Sequence, residues 1–173
     1  MMIRLIAFDV DGTLTDGSLF MGPDGEVCKK FHARDGLGLS LAHRMGYIVG
    51  FITGRKSPFA EKRAAELHLD FVLDGIDDKV AALDGLLKEY GISREEAAYM
   101  GDDLNDLPLL LRVGLPAVPA DACRECAEAA KFVSPCRGGE GAARTLIEKI
   151  IKEDGRWEEA LSRYTEKHEK NLQ

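Results

Sequence analysis

An apolar run, Ile3 to Phe8, ends in Asp9-Val10-Asp11-Gly12-Thr13-Leu14-Thr15-Asp16-Gly17, and this junction constrains the chain more than any other stretch. The run reads as a buried strand. Side chains two apart on a strand share a face, so Asp9 and Asp11 can converge on one reacting atom or one metal where the strand ends. Gly12 lets the chain bend sharply there. Taken alone, Asp-x-Asp-Gly after a strand is usually just a turn. What changes the reading is its company later in the chain: Thr53-Gly54-Arg55, Lys79, and Gly101-Asp102-Asp103-Leu104-Asn105-Asp106.

The remainder alternates strand with helix. Strands are expected at 3–10, 47–53, 71–73, 97–101, 115–118 and 131–133, and helices at 35–45, 57–67, 77–90, 104–113, 122–130 and 142–152. Ser57-Pro58 suits a helix start, Gly91 a helix stop, and Ser93 with Glu96 has capping-box spacing. Residues 18–31 contain Met21-Gly22-Pro23-Asp24-Gly25 between two short strand-like runs, which reads as a β-hairpin too short to be a domain. The alternation implies an α/β fold, a Rossmann-like doubly wound and mostly parallel sheet with a protruding hairpin and no separate cap domain. A chain of 173 residues fits one domain, 1–173, ending in a charged amphipathic tail (about 153–173) with Trp157, Leu161 and Tyr164 as docking residues. In such sheets ligands bind beyond the carboxyl ends of the strands. Asp9, Asp11, Thr53, Asp102 and Asp103 all fall there, and Lys79 opens a helix near the same rim.

Composition narrows the partners. A net charge of -7 argues against broad nucleic-acid binding. It still allows an anionic small molecule, because local positive groups and a metal can dominate one pocket. No apolar run approaches the roughly 20 residues a bilayer span needs. Met1 to Val10 lacks a secretory layout, so a soluble cytoplasmic protein without membrane association is expected. Cys123 and Cys126 have no second ligand pair at zinc spacing and read as thiols sharing one helix face.

These residues suit phosphate monoester hydrolysis. That reaction needs a nucleophile, a proton donor for the leaving oxygen and charge neutralisation on the phosphoryl oxygens. Carboxylates at one strand rim suit Mg²⁺, and a lysine supplies a compact positive charge. In their order, the four motifs resemble those of haloacid dehalogenase-superfamily phosphatases. The likeness is closest to the subgroup without a cap, the 3-deoxy-D-manno-octulosonate 8-phosphate phosphatases and their sialic-acid-type relatives. It covers nearly the whole chain, through Asp9 to Gly17, Lys30 to Gly36, Ile52 to Lys56, Tyr99 to Asp106 and Gly138 to Ala142.

The resemblance implies roles. Asp9 is the nucleophile, and Asp11 protonates the leaving sugar oxygen and then activates water. Thr53 and Lys79 hold the phosphoryl group. Asp9, the Asp11 carbonyl and Asp102 bind Mg²⁺, with Asp103 and Asp106 in support. His32, Ala33, Arg34, Asp35, Gly36, Gly54, Arg55 and Arg63 match substrate-contacting positions. The resemblance further implies a small anionic sugar phosphate as substrate, a step in lipopolysaccharide biosynthesis, and a homotetramer whose hairpins pair and whose sites are closed by neighbouring subunits. One position departs: Ser40 falls where some octulosonate phosphatases carry a basic residue. Arg55 fits the octulosonate type better than the nonulosonate 9-phosphate type. Two other readings use the same residue types. A phospho-acceptor receiver module places its acidic pair first and its Thr and Lys last, an order not found here. A non-catalytic phosphatase-like scaffold needs no intact motifs.

Overall fold

The computed structural model describes residues 2–169, with side chains to residue 165. At its centre lies β1 (Leu5–Phe8), buried at all four positions. It pairs in parallel with β4 (Ile48–Ile52) on one side and β6 (Ala97–Met100) on the other. Beyond these lie β5 (Phe71–Leu73), β7 (Leu115–Val118) and β8 (Phe132–Val133), giving the order β5-β4-β1-β6-β7-β8 with every pair parallel. A parallel sheet covered on both faces needs apolar side chains on both, which explains the unbroken Leu-Ile-Ala-Phe of β1.

Ile6 and Phe8 point into one core, with Leu39 of α1 (Ala33–Arg44), Ala60 of α2 (Pro58–Glu66) and Leu146 and Ile150 of α6 (Ala142–Glu153). Leu5 and Ala7 point into the other, with Leu83 of α3 (Lys79–Tyr90), Leu109 of α4 (Leu107–Leu110) and Cys126 of α5 (Arg124–Ala129). Period-two alternation along β1 thus feeds two layers of helices. From β1 the chain runs outward to β5, then crosses back to β6. The order therefore reverses between β1 and β6, and a crevice opens at their carboxyl ends.

Between β1 and α1 stands the expected hairpin, β2 (Phe20–Gly22) antiparallel to β3 (Gly25–Cys28), with Phe20, Met21 and Val27 exposed. The capping box forms at Ser93 and Glu96, on a 3₁₀ turn. The tail becomes α7 (Trp157–Glu169), whose Trp157, Leu161 and Tyr164 line an apolar groove with Leu37 and Leu41 of α1. Residues 170–173 of the expected tail lie outside the described residues. One expectation is corrected: the helix expected at 104–113 is α-helical only over Leu107–Leu110. Pro108 is tolerated only in a first helical turn, and residues 104–106 instead form a turn around the Asp106 carboxylate. Among the described residues no helix is long and apolar enough to cross a membrane.

Candidate active site

The crevice between β1 and β6 gathers the acidic motifs. The Asp9 N–H donates to Met100 O (2.9 Å), extending the β1–β6 ladder by one residue. The chain then turns at Gly12 (φ +89°), and the Leu14 N–H closes the loop on Val10 O. A Cβ on Gly12 would lie 2.1 Å from Asp102 Oδ2, so glycine here lets Asp102 come close to the β1 loop. Asp102 Oδ1 also accepts from Thr13 Oγ1 at 3.0 Å.

Beneath them lies a buried polar knot. Lys79, at the start of α3, donates to Asp9 Oδ1 and Asp106 Oδ1, both at 2.6 Å, and lies 3.2 Å from the Tyr99 hydroxyl. Tyr99, wholly buried on β6, donates to Asp106 Oδ1 at 2.6 Å. Asp106 Oδ2 accepts from the N–H groups of Asp102 (2.9 Å) and Asp103 (3.3 Å). Asp106 therefore spends its lone pairs on organising the Asp102 loop. Above the knot is an open cavity of about 500 Å³ lined by Asp9, Asp11, Thr53, Gly54, Arg55, Asp102, Asp103 and Asn105.

Carboxylate oxygens of Asp9, Asp102 and Asp106 lie within 4.8 Å of one another. One ammonium pairs with Asp9 and Asp106, and Asp102 has none, so negative charge is in excess. Together with burial, it raises the pKa values of Asp9 and Asp102. Burial, then the charge of Asp106, pushes Asp9 up to about 7 against the pull of Lys79. Burial, then Asp9 and Asp106, does the same to Asp102, also to about 7. An all-oxygen donor set with uncompensated negative charge fits a hard divalent cation such as Mg²⁺. With Asp106 already committed to four donors, Asp9 and Asp102 are the carboxylates left to hold it.

The remaining expected residues divide. His32, Ala33, Arg34, Asp35 and Gly36 cluster at the start of α1. Of these, His32, Asp35 and Gly36 line a small recess with Arg63, apart from the acidic cavity. Ala33 and Arg34 are exposed. Asp35 was expected at the substrate, yet its buried carboxylate accepts from Gly141 N–H (3.1 Å) and Arg144 N–H (2.8 Å), so it satisfies the start of α6. Arg63 packs on Gly36, where a Cβ would lie 2.1 Å from its Nη2. Ser40 turns its hydroxyl toward Leu67 O at 3.5 Å. Cys126 is buried with its thiol 3.1 Å from Asp103 O, in keeping with a core-side role.

Sequence reasoning missed Tyr99, Asn105 and Lys29. A tyrosine in an all-buried strand signals a needed hydrogen-bond partner, and that clue was available. Lys29, at the base of the hairpin, forms an ion pair with Asp11, and nothing in its neighbourhood in sequence sets it apart from Lys30.

Comparison with known proteins agrees with this geometry. The sequence signature of haloacid dehalogenase-like hydrolases matches residues 68–146. The 3-deoxy-D-manno-octulosonate 8-phosphate phosphatase KdsC of Escherichia coli K12 is 39% identical over 158 residues, covering 91% of this chain and 84% of the relative. The crystal structure of 3-deoxy-D-manno-octulosonate 8-phosphate phosphatase from Moraxella catarrhalis, in complex with magnesium ion, phosphate ion and KDO, superposes with a TM-score of 0.90. It is 36% identical and covers 94% of this chain and 93% of that one. The cobalt-bound Haemophilus influenzae phosphatase superposes with a TM-score of 0.86 at 37% identity, covering 88% and 90%.

Proposed function

The chain belongs to the haloacid dehalogenase-like hydrolases, and from that membership we propose that it hydrolyses 3-deoxy-D-manno-octulosonate 8-phosphate through an aspartyl-phosphate on Asp9. The observation that carries this reading is the convergence of Asp9 and Asp11, from one strand end, on a cavity shared with Thr53 and Asp102.

In the first half-reaction an Asp9 oxygen attacks phosphorus and the bond to the sugar oxygen breaks. Asp11 hands that oxygen a proton. In the second, Asp11 takes a proton from the water that attacks the aspartyl-phosphate, and phosphate leaves. Thr53 and Lys79 bind and neutralise the phosphoryl oxygens, Lys79 from its place beside Asp9. Asp9, the Asp11 carbonyl and Asp102 would hold Mg²⁺, which would supply positive charge against the negative charge on the phosphoryl oxygens. Asp103 and Asp106 support the Asp102 loop. Arg55, half exposed at the cavity wall, is the group for the sugar acid. By resemblance the residues at the start of α1 and Arg63 belong to the substrate site from their own recess, with Asp35 tying α1 to α6.

The reading includes a homotetramer. The hairpin exposes Phe20, Met21 and Val27, and among the described residues it is the only insertion between β1 and α1 that could serve as a lid. Apolar hairpins pairing between subunits would bury these residues, and a neighbour could then exclude water from the site. Light scattering on the purified protein tests this: a monomer at micromolar concentration removes the proposal. Free thiols at all four cysteines are in keeping with a cytoplasmic enzyme making a cell-envelope sugar.

The test of function is phosphate release with Mg²⁺ from octulosonate 8-phosphate, a nonulosonate 9-phosphate and hexose phosphates, with Asp9→Asn as control. Preference for the octulosonate supports the proposal. Preference for the nonulosonate keeps the mechanism and replaces the substrate, and release independent of Asp9 removes both.

A further inference from the structure

The hairpin delivers a lysine that the chemistry above leaves unused. Lys29 follows β3, and its side chain is 1% exposed. Its ammonium pairs with Asp11 Oδ1 and lies 2.7 Å from Glu26 Oε1. Glu26 is itself fixed, because its Oε2 accepts from Ser57 Oγ at 2.6 Å. Ser57 stands at the N-cap of α2, so the arrangement is tied to that helix and not only to the hairpin. Asp11 lines the cavity, and its Oδ2 lies 3.5 Å from Arg55 Nε.

An ammonium this deeply buried is costly unless paired, and its partners here are two carboxylates from different elements. An exposed pair would hold its members loosely, whereas here the ammonium itself lies out of water. The result is an asymmetric carboxylate. One Asp11 oxygen is anchored by Lys29, and the other is left beside Arg55 at the cavity that Asp11 lines.

We infer that Lys29, braced by Glu26, is a positioning residue for Asp11. The base of the hairpin thereby becomes part of the catalytic apparatus of its own subunit. This rests on the proposed phosphatase reading, in which Asp11 serves the leaving oxygen. Proton transfer by a placed side chain contributes about 10²–10⁴-fold, and a misplacement of about 1 Å can forfeit about 10²-fold.

The test compares two leaving groups. The sugar oxygen needs its proton as it departs, whereas p-nitrophenolate leaves without one. For Lys29→Met, kcat/KM on octulosonate 8-phosphate is expected to fall about 10- to 100-fold, and on p-nitrophenyl phosphate by less than about threefold. Glu26→Gln, which keeps its volume, is expected to give the same leaving-group bias at smaller size. It carries the test if Lys29→Met does not fold. In an Asp11→Asn background, Lys29→Met is expected to change kcat/KM by less than about twofold, because the group it acts through is gone.

Equal losses on both substrates would assign Lys29 to hairpin folding and overturn the inference. So would a Lys29→Met loss as large in the Asp11→Asn background as in the wild type, or full activity of Lys29→Met and Glu26→Gln beside an active wild type. A wild type without Asp9-dependent phosphate release would instead remove the phosphatase reading beneath it.

Discussion

Lys79 Nζ donates to Asp9 Oδ1 at 2.6 Å across 70 residues of chain. The pair is buried on both sides, at 2% and 6% side-chain exposure. Removing one partner of such a pair strands the other, which typically destabilises by roughly 3–5 kcal/mol. Here the stranded Asp9 carboxylate can take up a proton instead. Lys79→Met is therefore expected to lower stability by about 3 kcal/mol at pH 8 and by clearly less at pH 5, with kcat reduced at least about 100-fold. Urea denaturation at the two pH values checks it. An equal loss at both would mean that Lys79 is not what neutralises Asp9.

Asp102 and Asp106 sit four residues apart and are expected to fail differently. Asp106 accepts from Lys79, Tyr99 and two backbone N–H groups, so Asp106→Asn introduces an amide donor among donors. It is expected to destabilise by about 1–3 kcal/mol. Asp102 has one side-chain partner, Thr13, and faces the cavity. Asp102→Asn is expected to leave stability within about 1 kcal/mol of the wild type while weakening Mg²⁺ binding at least about tenfold. Calorimetric Mg²⁺ titration beside thermal melts separates the two. If Asp106→Asn loses Mg²⁺ with no loss of stability, Asp106 is a ligand and not a brace.

How much of this was legible beforehand follows from range. The strand ends could be read because each is a local pattern, an apolar run closed by Asp or Thr-Gly. Their convergence could be read because parallel strands place their carboxyl ends on one rim. Asp106 drew only a supporting role, because nothing in Asp-Asp-Leu-Asn-Asp distinguishes a carboxylate facing the cavity from one turned under the loop. Lys29 was invisible for a related reason. Its partners, Asp11 and Glu26, meet only once the hairpin sets Lys29 beside the loop after β1, and from sequence Lys29 and Lys30 look alike. The helix expected at 104–113 shrinks to the short α4 because Pro108 is tolerated only in a first helical turn.

The raised acidities of Asp9 and Asp102 give a stability profile for the metal-free protein. Both groups hold protons in the folded state up to about 7 but release them near 3.8 when unfolded. Between these values the folded state binds more protons, so stability falls as pH rises through the window. The contribution is fully present below about pH 4 and lost by about pH 7. Mg²⁺ competes for the same oxygens, so its stabilising effect should run the other way, small at pH 5 and large at pH 8. Melts with EDTA and with excess Mg²⁺ across this range measure both curves. A Mg²⁺ effect independent of pH would place the metal away from Asp9 and Asp102.

Two glycines make opposite cases. Gly138 lies where the loop before α6 rests on the β1 loop, and the neighbouring Gly139 N–H donates to Thr13 O at 3.0 Å. A Cβ on Gly138 would sit 1.8 Å from Gly12 O, a backbone atom that cannot swing aside. Gly138→Ala must therefore displace the Gly12 turn, and with it the close approach of Asp102. It is expected to lower kcat/KM at least about tenfold and to destabilise by about 1–3 kcal/mol. Gly85 is an exposed residue inside α3 without a positive φ, and a methyl group added there would meet nothing within 4 Å. Gly85→Ala is expected to stabilise by about 0.5–1 kcal/mol and to leave kcat/KM unchanged, since α3 gains helix propensity without moving Lys79. Denaturation curves and phosphate release on both variants decide the matter. A Gly138→Ala enzyme as active as the wild type would show that the β1 loop can yield without moving Asp102.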